Sequence, residues 1–208
     1  VAMAQQARKK PFEGLRVADF AWVGVGPTVS KYLADHGAEV IRIESSTYPE
    51  ALRRVGPFVN DTPNIDGSGY YANYNSSKLC MSVNFKHPRG PELVRRLVAK
   101  CDVVTESYTP GTMARFGFDY ESLSAGRDDL LMVSMPLYGQ TGPWANYMGY
   151  GHVLQAASGF NHLTGWEDGP PIGTGIAYTD FLVPHFAAVA VIAALDYRRR
   201  TGKGQFID

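Results

Sequence analysis

The chain has 208 residues, 45% of them hydrophobic, and 20 basic residues balance 20 acidic ones for a formal net charge of +0. That length buries a real core, in one large domain or a domain with appendages. The even balance excludes a basic field for nucleic acid and a lysine-rich face for a membrane surface, leaving small molecules and protein partners. Cys80 and Cys101 stand far apart, without a CxxC pair or ligand-spaced histidines. They read as buried, reduced thiols and suit the cytoplasm.

Residues 1–11 carry a basic cluster but no apolar core of the kind a secretory signal needs, and read as a disordered tail. The segment 15-LRVADFAWVG-24 starts like a buried strand and runs into the turn 24-GVGP-27. A helix follows over 28–36, with Pro27 in its first turn, Val29, Tyr32 and Leu33 at helical spacing, and Gly37 as its stop. Residues 39–44 then read as a second strand, completing a βαβ unit with a parallel, right-handed crossover.

Residues 45–77 read as loop. A second βαβ unit follows: strand 80–85, helix 88–101 with Pro88 in its first turn, and strand 102–107. A short helix and turn over 110–119 leads to a strand at 130–136, then to helices at 152–160 and 180–200. The apolar run 181–195 holds Pro184 and His185 and reads as too short to span a bilayer. This alternation predicts an α/β fold, a Rossmann-like open and mostly parallel sheet with flanking helices.

Two stretches invite chemistry. The turn 24-GVGPTV-29 approaches the dinucleotide pattern GxGxxG, and Glu44 stands twenty positions after Gly24, where a ribose-binding acid belongs. Val29, however, occupies the third glycine position. An NAD site, a ligand-free tight turn and a different nucleotide-bearing ligand at the helix start all stay open. The second stretch is Asp180, a single acid between the glycine-rich 169–176 and a long apolar helix. On the residues alone an N-cap is the ordinary role for such an acid, one that Thr179 fills equally well.

Several ordered stretches decide further: 12-FEGLRVADF-20, 36-HGAEVIRIES-45, 84-NFKHPRG-90, 101-CDVVTESYTPG-111, 113-MARFGFD-119, 155-QAASGFNHLTG-165, 168-DGPP-171 and 197-YRRRTGKGQ-205. Together they resemble the family III CoA-transferases, which include formyl-CoA:oxalate and carnitine CoA-transferases and share their fold with α-methylacyl-CoA racemases. Members of this family are longer. The resemblance therefore implies a Rossmann-like CoA-binding large domain over 12–200, with 201–208 beginning a linker to a small domain beyond this chain. It also implies an interlocked homodimer, or pairing with a complementary C-terminal part.

The resemblance makes Asp180 the catalytic nucleophile, charged at a helix start where the dipole favours the anion. It places Gly24 and Val25 beside the pantetheine, Val83 and Lys86 at the nucleotide end, and Arg115 at a phosphate contact. Ser107, Tyr108 and Tyr150 complete the implied CoA contacts. The substrates are then an acyl-CoA and a small carboxylic acid, with coenzyme A as substrate and no prosthetic group. Formyl-CoA transferases carry glutamine at Gly24, asparagine at Ser107 and lysine at Met148, so a different acceptor acid is implied, larger or less charged. Racemases carry a second proton-transfer histidine nine positions before the glycine equivalent to Gly159, where Tyr150 stands here. His152, two places off, reads as a structural histidine turned to another face. His36, His87, His162 and His185 form no ligand-spaced cluster, and no metal is implied. A CoA-binding chain inactive on its own is the non-enzymatic alternative.

Overall fold

The computed structural model describes residues 9–208, so most of the expected N-terminal tail (1–8) lies outside the described residues. The strands are β1 Arg16–Asp19, β2 Glu39–Glu44, β3 Leu79–Ser82, β4 Val103–Glu106, β5 Leu131–Ser134 and β6 Gln205–Ile207. They form one sheet of 6 strands in the order β3-β2-β1-β4-β5-β6. Every neighbouring pair is parallel. Successive residues on a strand face opposite ways, so Ala18, Val104 and Met132 enter one core and Val17, Val103 and Leu131 the other. Both faces are covered, which explains why these strands are continuously apolar rather than alternating.

Helices α1 Val25–Asp35 and α7 Tyr178–Thr201 cover one face, α1 through Val29 and Leu33, α7 through Val191 and Ala194. On the other face α3 Gly90–Val98 packs Val94 and Val98 against the sheet, joined by Met113 of α4 Thr112–Arg115 and Leu123 of α5 Tyr120–Ser124. The remaining helices are α2 Gly69–Asn75 and α6 Gly151–Ala157.

Element types follow the sequence reading, but several bounds move. Helix α1 begins at Val25 rather than residue 28, and α3 at Gly90 with Pro91, not Pro88, in its first turn. The stretch 45–77 is not all loop. It holds short 3-10 turns at Ala51–Arg54 and Val59–Asp61. It also holds α2, whose start is capped by Ser68 Oγ accepting the Tyr71 N–H at 3.1 Å. The expected linker residues 205–207 instead pair with β5 as the sixth strand. Gly204 makes that entry possible, because a Cβ there would lie 1.8 Å from the Leu130 carbonyl oxygen. Of the two thiols, Cys101 is buried as expected and Cys80 is exposed.

Helix α7 runs 24 residues straight through Pro184. With a mean hydropathy of 1.6 it is, by length and composition, long and apolar enough to cross a membrane, contrary to the expectation from the apolar run alone. Gly202 ends it at φ +74, its N–H donating to the Arg198 carbonyl at 2.8 Å. Pro184 has no N–H to give the carbonyl one turn earlier, which is that of Asp180.

Candidate active site

The order of strands reverses direction between β1 and β4, and chains leaving their carboxyl ends diverge there to open a crevice. A cleft of about 770 Å³ occupies this place, lined by the turn 22–25, residues 107–109 and 133–137, the 149–151 segment and the first turn of α7 at Asp180. Gly24 and Val25 open α1 on one side, and Ser107, Tyr108 and Tyr150 line the same cleft.

Asp180 is not a cap. Ala177 occupies the N-cap position, and Asp180 is the third helical residue, its N–H donating to the Ala177 carbonyl at 2.9 Å. Nor does Thr179 cap, since its hydroxyl donates to the Gly151 carbonyl at 3.0 Å. The Asp180 side chain is therefore free of local duties and crosses to the start of α6, where its carboxylate packs against Gly151. The fit is close: a Cβ on Gly151 would lie 2.3 Å from Asp180 Oδ1. On the opposite side a Cβ on Gly24 would stand 3.9 Å from Asp180 Cβ, an ordinary contact distance, so the turn and the stem of the acid lie side by side.

Burial pushes the Asp180 carboxyl up, while the Gly151 N–H and the imidazole of His152 pull it back; the net direction is above the ordinary carboxylate range. The helix start was expected to favour the anion, yet desolvation outweighs it. A carboxylate held this way is a stronger base and nucleophile once ionised. His152, expected as a structural histidine, is an exposed residue in the first turn of α6. Burial first, then Tyr70 and Asp180, push the Tyr74 hydroxyl of α2 up. Gly151 carries no sequence pattern that marks it, since it meets Asp180 only across a tertiary contact.

The other expected contacts divide between two further grooves. Val83 lines a groove of about 410 Å³ with His87, Arg89 and Arg96. Lys86 is exposed on the neighbouring turn, its N–H donating to Asn84 Oδ1 at 3.0 Å. Arg115 and Met148 line a groove of about 510 Å³, with Arg115 Nη2 donating to Thr112 Oγ1 at 2.8 Å. Ser107 faces the cleft but its hydroxyl is already engaged, accepting the Trp22 N–H at 2.8 Å and donating to the Trp22 carbonyl at 3.0 Å. Glu44, the candidate ribose acid, is held below the surface by Arg53 at 2.7 Å and by Tyr71.

Beneath the 20–27 turn lies a cluster of buried charges. Asp19 accepts from Ser30 at 2.7 Å, Thr105 at 2.9 Å, Lys78 at 3.0 Å and the Ala21 N–H at 3.1 Å. Burial alone would raise its carboxyl, but Lys78 and Arg42 outweigh burial and hold it below the ordinary range. Lys78 also donates to the Pro27 carbonyl at 2.8 Å, tying the cluster to α1.

The chain matches CoA-transferase family III over residues 12–208. It is 42% identical over 200 residues to the mouse succinyl-CoA:glutarate CoA-transferase, covering 96% of this chain and 45% of that protein. Against the succinate–glutarate CoA-transferase of Agrobacterium fabrum the identity is 40%, covering 97% of this chain and 51% of the relative. A CAIB/BAIF family protein from Brucella suis, known from its crystal structure, matches with a TM-score of 0.88 and 37% identity over 97% of this chain and 53% of that one. The chain spans about half the length of the curated relatives it matches. By match length, identity and fold together, this chain belongs to CoA-transferase family III.

Proposed function

We propose that the protein moves CoA from an acyl-CoA donor to a carboxylic acid acceptor, with Asp180 as the covalent nucleophile. One observation carries this reading: the Asp180 carboxylate serves neither as cap nor, among the described residues, as salt-bridge partner, and lines the cleft at the switch point beside Gly24. Asp180 attacks the thioester carbonyl, the C–S bond breaks, and CoA thiolate leaves behind an aspartyl mixed anhydride. The thiolate then attacks the aspartyl carbonyl, the donor acid departs as its carboxylate, and Asp180 becomes an aspartyl-CoA thioester. The acceptor carboxylate attacks that thioester, and the expelled thiolate returns to the acceptor's carbonyl, freeing Asp180. No proton is gained or lost over the cycle. Four easier acyl transfers replace one hard exchange, and Gly151, packed against the carboxylate, brings its N–H near the oxyanion charge that develops on the aspartyl carbonyl.

The named relatives act on succinyl-CoA and glutarate, which supports a dicarboxylate pair as the substrates. The bare Gly24 flank supports an acceptor larger than oxalate. CoA binding would extend from the cleft toward the Val83–Lys86 turn and Arg115. The protein is taken as cytoplasmic, with a homodimer or a C-terminal part completing the site. Incubation of the full-length protein with succinyl-CoA and glutarate tests the reading: glutaryl-CoA and succinate in equal amounts are expected, and succinyl-CoA hydrolysis without glutaryl-CoA would overturn it.

A second reading rests on His152 following Gly151, which packs against Asp180, in the first turn of α6: removal and return of an α-proton on a 2-methylacyl-CoA. Deuterium uptake at that carbon without exchange of CoA between acids would favour it over transfer.

A further inference from the structure

The chain leaving β1 bends sharply over residues 20–25, and the bend is held peptide by peptide. The Phe20 N–H donates to the Thr105 carbonyl at 2.8 Å, the Ala21 N–H to Asp19 at 3.1 Å and the Trp22 N–H to Ser107 at 2.8 Å. The Val23 N–H donates to Glu50 Oε1 at 2.7 Å. Val23 itself has φ +59, a left-handed conformation that a β-branched residue enters only under constraint. Other non-glycine residues with positive φ are Asn60, Asp61 and Ser77, small polar side chains that tolerate it better. Gly24 and Val25, the next residues, form the wall facing Asp180.

Glu50 is fully buried and does not line the cleft. Its second oxygen accepts from Arg42 Nη2, and Arg42 Nη1 donates to the Ala21 carbonyl. The same guanidinium thus grips the turn directly at Ala21 and indirectly at Val23. Arg42 is fixed in turn by Asp19 at 3.4 Å and Glu44 at 3.3 Å, within the middle strands of the sheet. We propose that Glu50, oriented by Arg42, is a positioning residue that locks Val23 in its left-handed conformation and so sets the separation between the Gly24–Val25 turn and Asp180. The inference rests on the transferase reading for its consequence, because a nucleophile and its substrate wall must be held to within about 1 Å for full rate.

Glycine occupies φ +59 without the steric cost that valine meets, and this supplies the test. In the full-length protein, Glu50→Gln is expected to slow acylation of Asp180 by succinyl-CoA about tenfold, the factor that corresponds to one disfavoured left-handed residue. Adding Val23→Gly is expected to return acylation to within about twofold of the Val23→Gly single variant. The thermal midpoint should stay at the Glu50→Gln level. A purely structural role for the buried pair moves stability and rate together and allows no such rescue. A double variant no faster than Glu50→Gln, or a Glu50→Gln variant at wild-type rate, would overturn the inference. If Glu50→Gln does not fold, Arg42→Lys keeps the buried cation, loses one forked donor, and is read by the same criteria with Val23→Gly.

A second readout needs no turnover. Trp22 stacks on Tyr48 at 5.5 Å and 18°, so its emission follows the turn. With every other tryptophan of the full-length protein replaced by phenylalanine, Trp144 and Trp166 among them, Glu50→Gln should shift Trp22 emission and Val23→Gly should restore it. An unshifted emission overturns the positioning role. Absent acylation in the wild type, with the emission shift and its reversal intact, would instead overturn the transferase reading alone.

Discussion

Replacing Gly151 by alanine asks whether the Asp180 carboxylate must sit where it does. A Cβ at position 151 would stand 2.3 Å from Asp180 Oδ1, 2.6 Å from Cγ and 2.9 Å from Oδ2. To regain an ordinary contact of 3.4 Å the carboxylate must recede by about 1 Å, and a displacement of that size near reacting atoms costs about a hundredfold in rate. Stability should change little. Crowding costs about 1–3 kcal/mol, while alanine in place of glycine within α6 gives back about 1 kcal/mol. The assay is rapid-quench acylation by succinyl-CoA, with aspartyl adduct measured by intact mass beside the thermal midpoint of each variant. Acylation reduced about a hundredfold with a midpoint shifted by only a few degrees fits the geometry. A Gly151→Ala variant that acylates at the wild-type rate would refute the close approach of Gly151 and Asp180, and with it the site as described.

Three further outcomes follow from particular groups. Because burial raises the Asp180 carboxyl, the acylation rate should fall on the acid side with an apparent pKa above the ordinary value of about 3.9. The same raised pKa means that its stability contribution is full below the unfolded value and is lost as pH rises through the folded one. Asp180→Asn should then be at least as stable as wild type at neutral pH in urea unfolding, and less stable protein there would contradict the direction of the shift. Lys78→Met removes a fully buried cation from Asp19 at 3.0 Å and should cost about 3–5 kcal/mol in the same assay; a loss below about 1 kcal/mol would mean Asp19 needs no partner. Phe118→Ala, fully buried against Phe20, Phe85 and Phe116, should cost about 3–5 kcal/mol and leave acylation per folded molecule unchanged, as judged by unfolding and rapid-quench data on one sample.

Much of the sheet was legible because local signals carry it. Strands read at 102–107 and 130–136 stand at Val103–Glu106 and Leu131–Ser134, and Pro27 near the start of α1 and Gly37 after its end punctuated the chain. Strand β6 was not legible, since 205–207 is short, follows two glycines and becomes a strand only by pairing with β5. Helix α2 escaped for a related reason: seven residues rich in tyrosine and asparagine show no 3.6-residue period. Within the site, Asp180, Gly24, Val25, Ser107, Tyr108 and Tyr150 were found through the family resemblance and meet in one cleft. Its capping role was misjudged because a helix start three residues upstream cannot be read from an aspartate that caps well anywhere. Glu50, Lys78 and Gly151 act through partners distant in sequence, and a single chain shows nothing of such pairs until it is folded.

Transfer by this route depends on one covalent bond to one side chain. Full-length protein incubated with succinyl-CoA, quenched with hydroxylamine and mapped by peptide mass spectrometry should carry a hydroxamate at Asp180 and at no other carboxylate, with Asp180→Asn carrying none. An unmodified Asp180 peptide from protein that still exchanges CoA between acids would contradict the nucleophile assigned here.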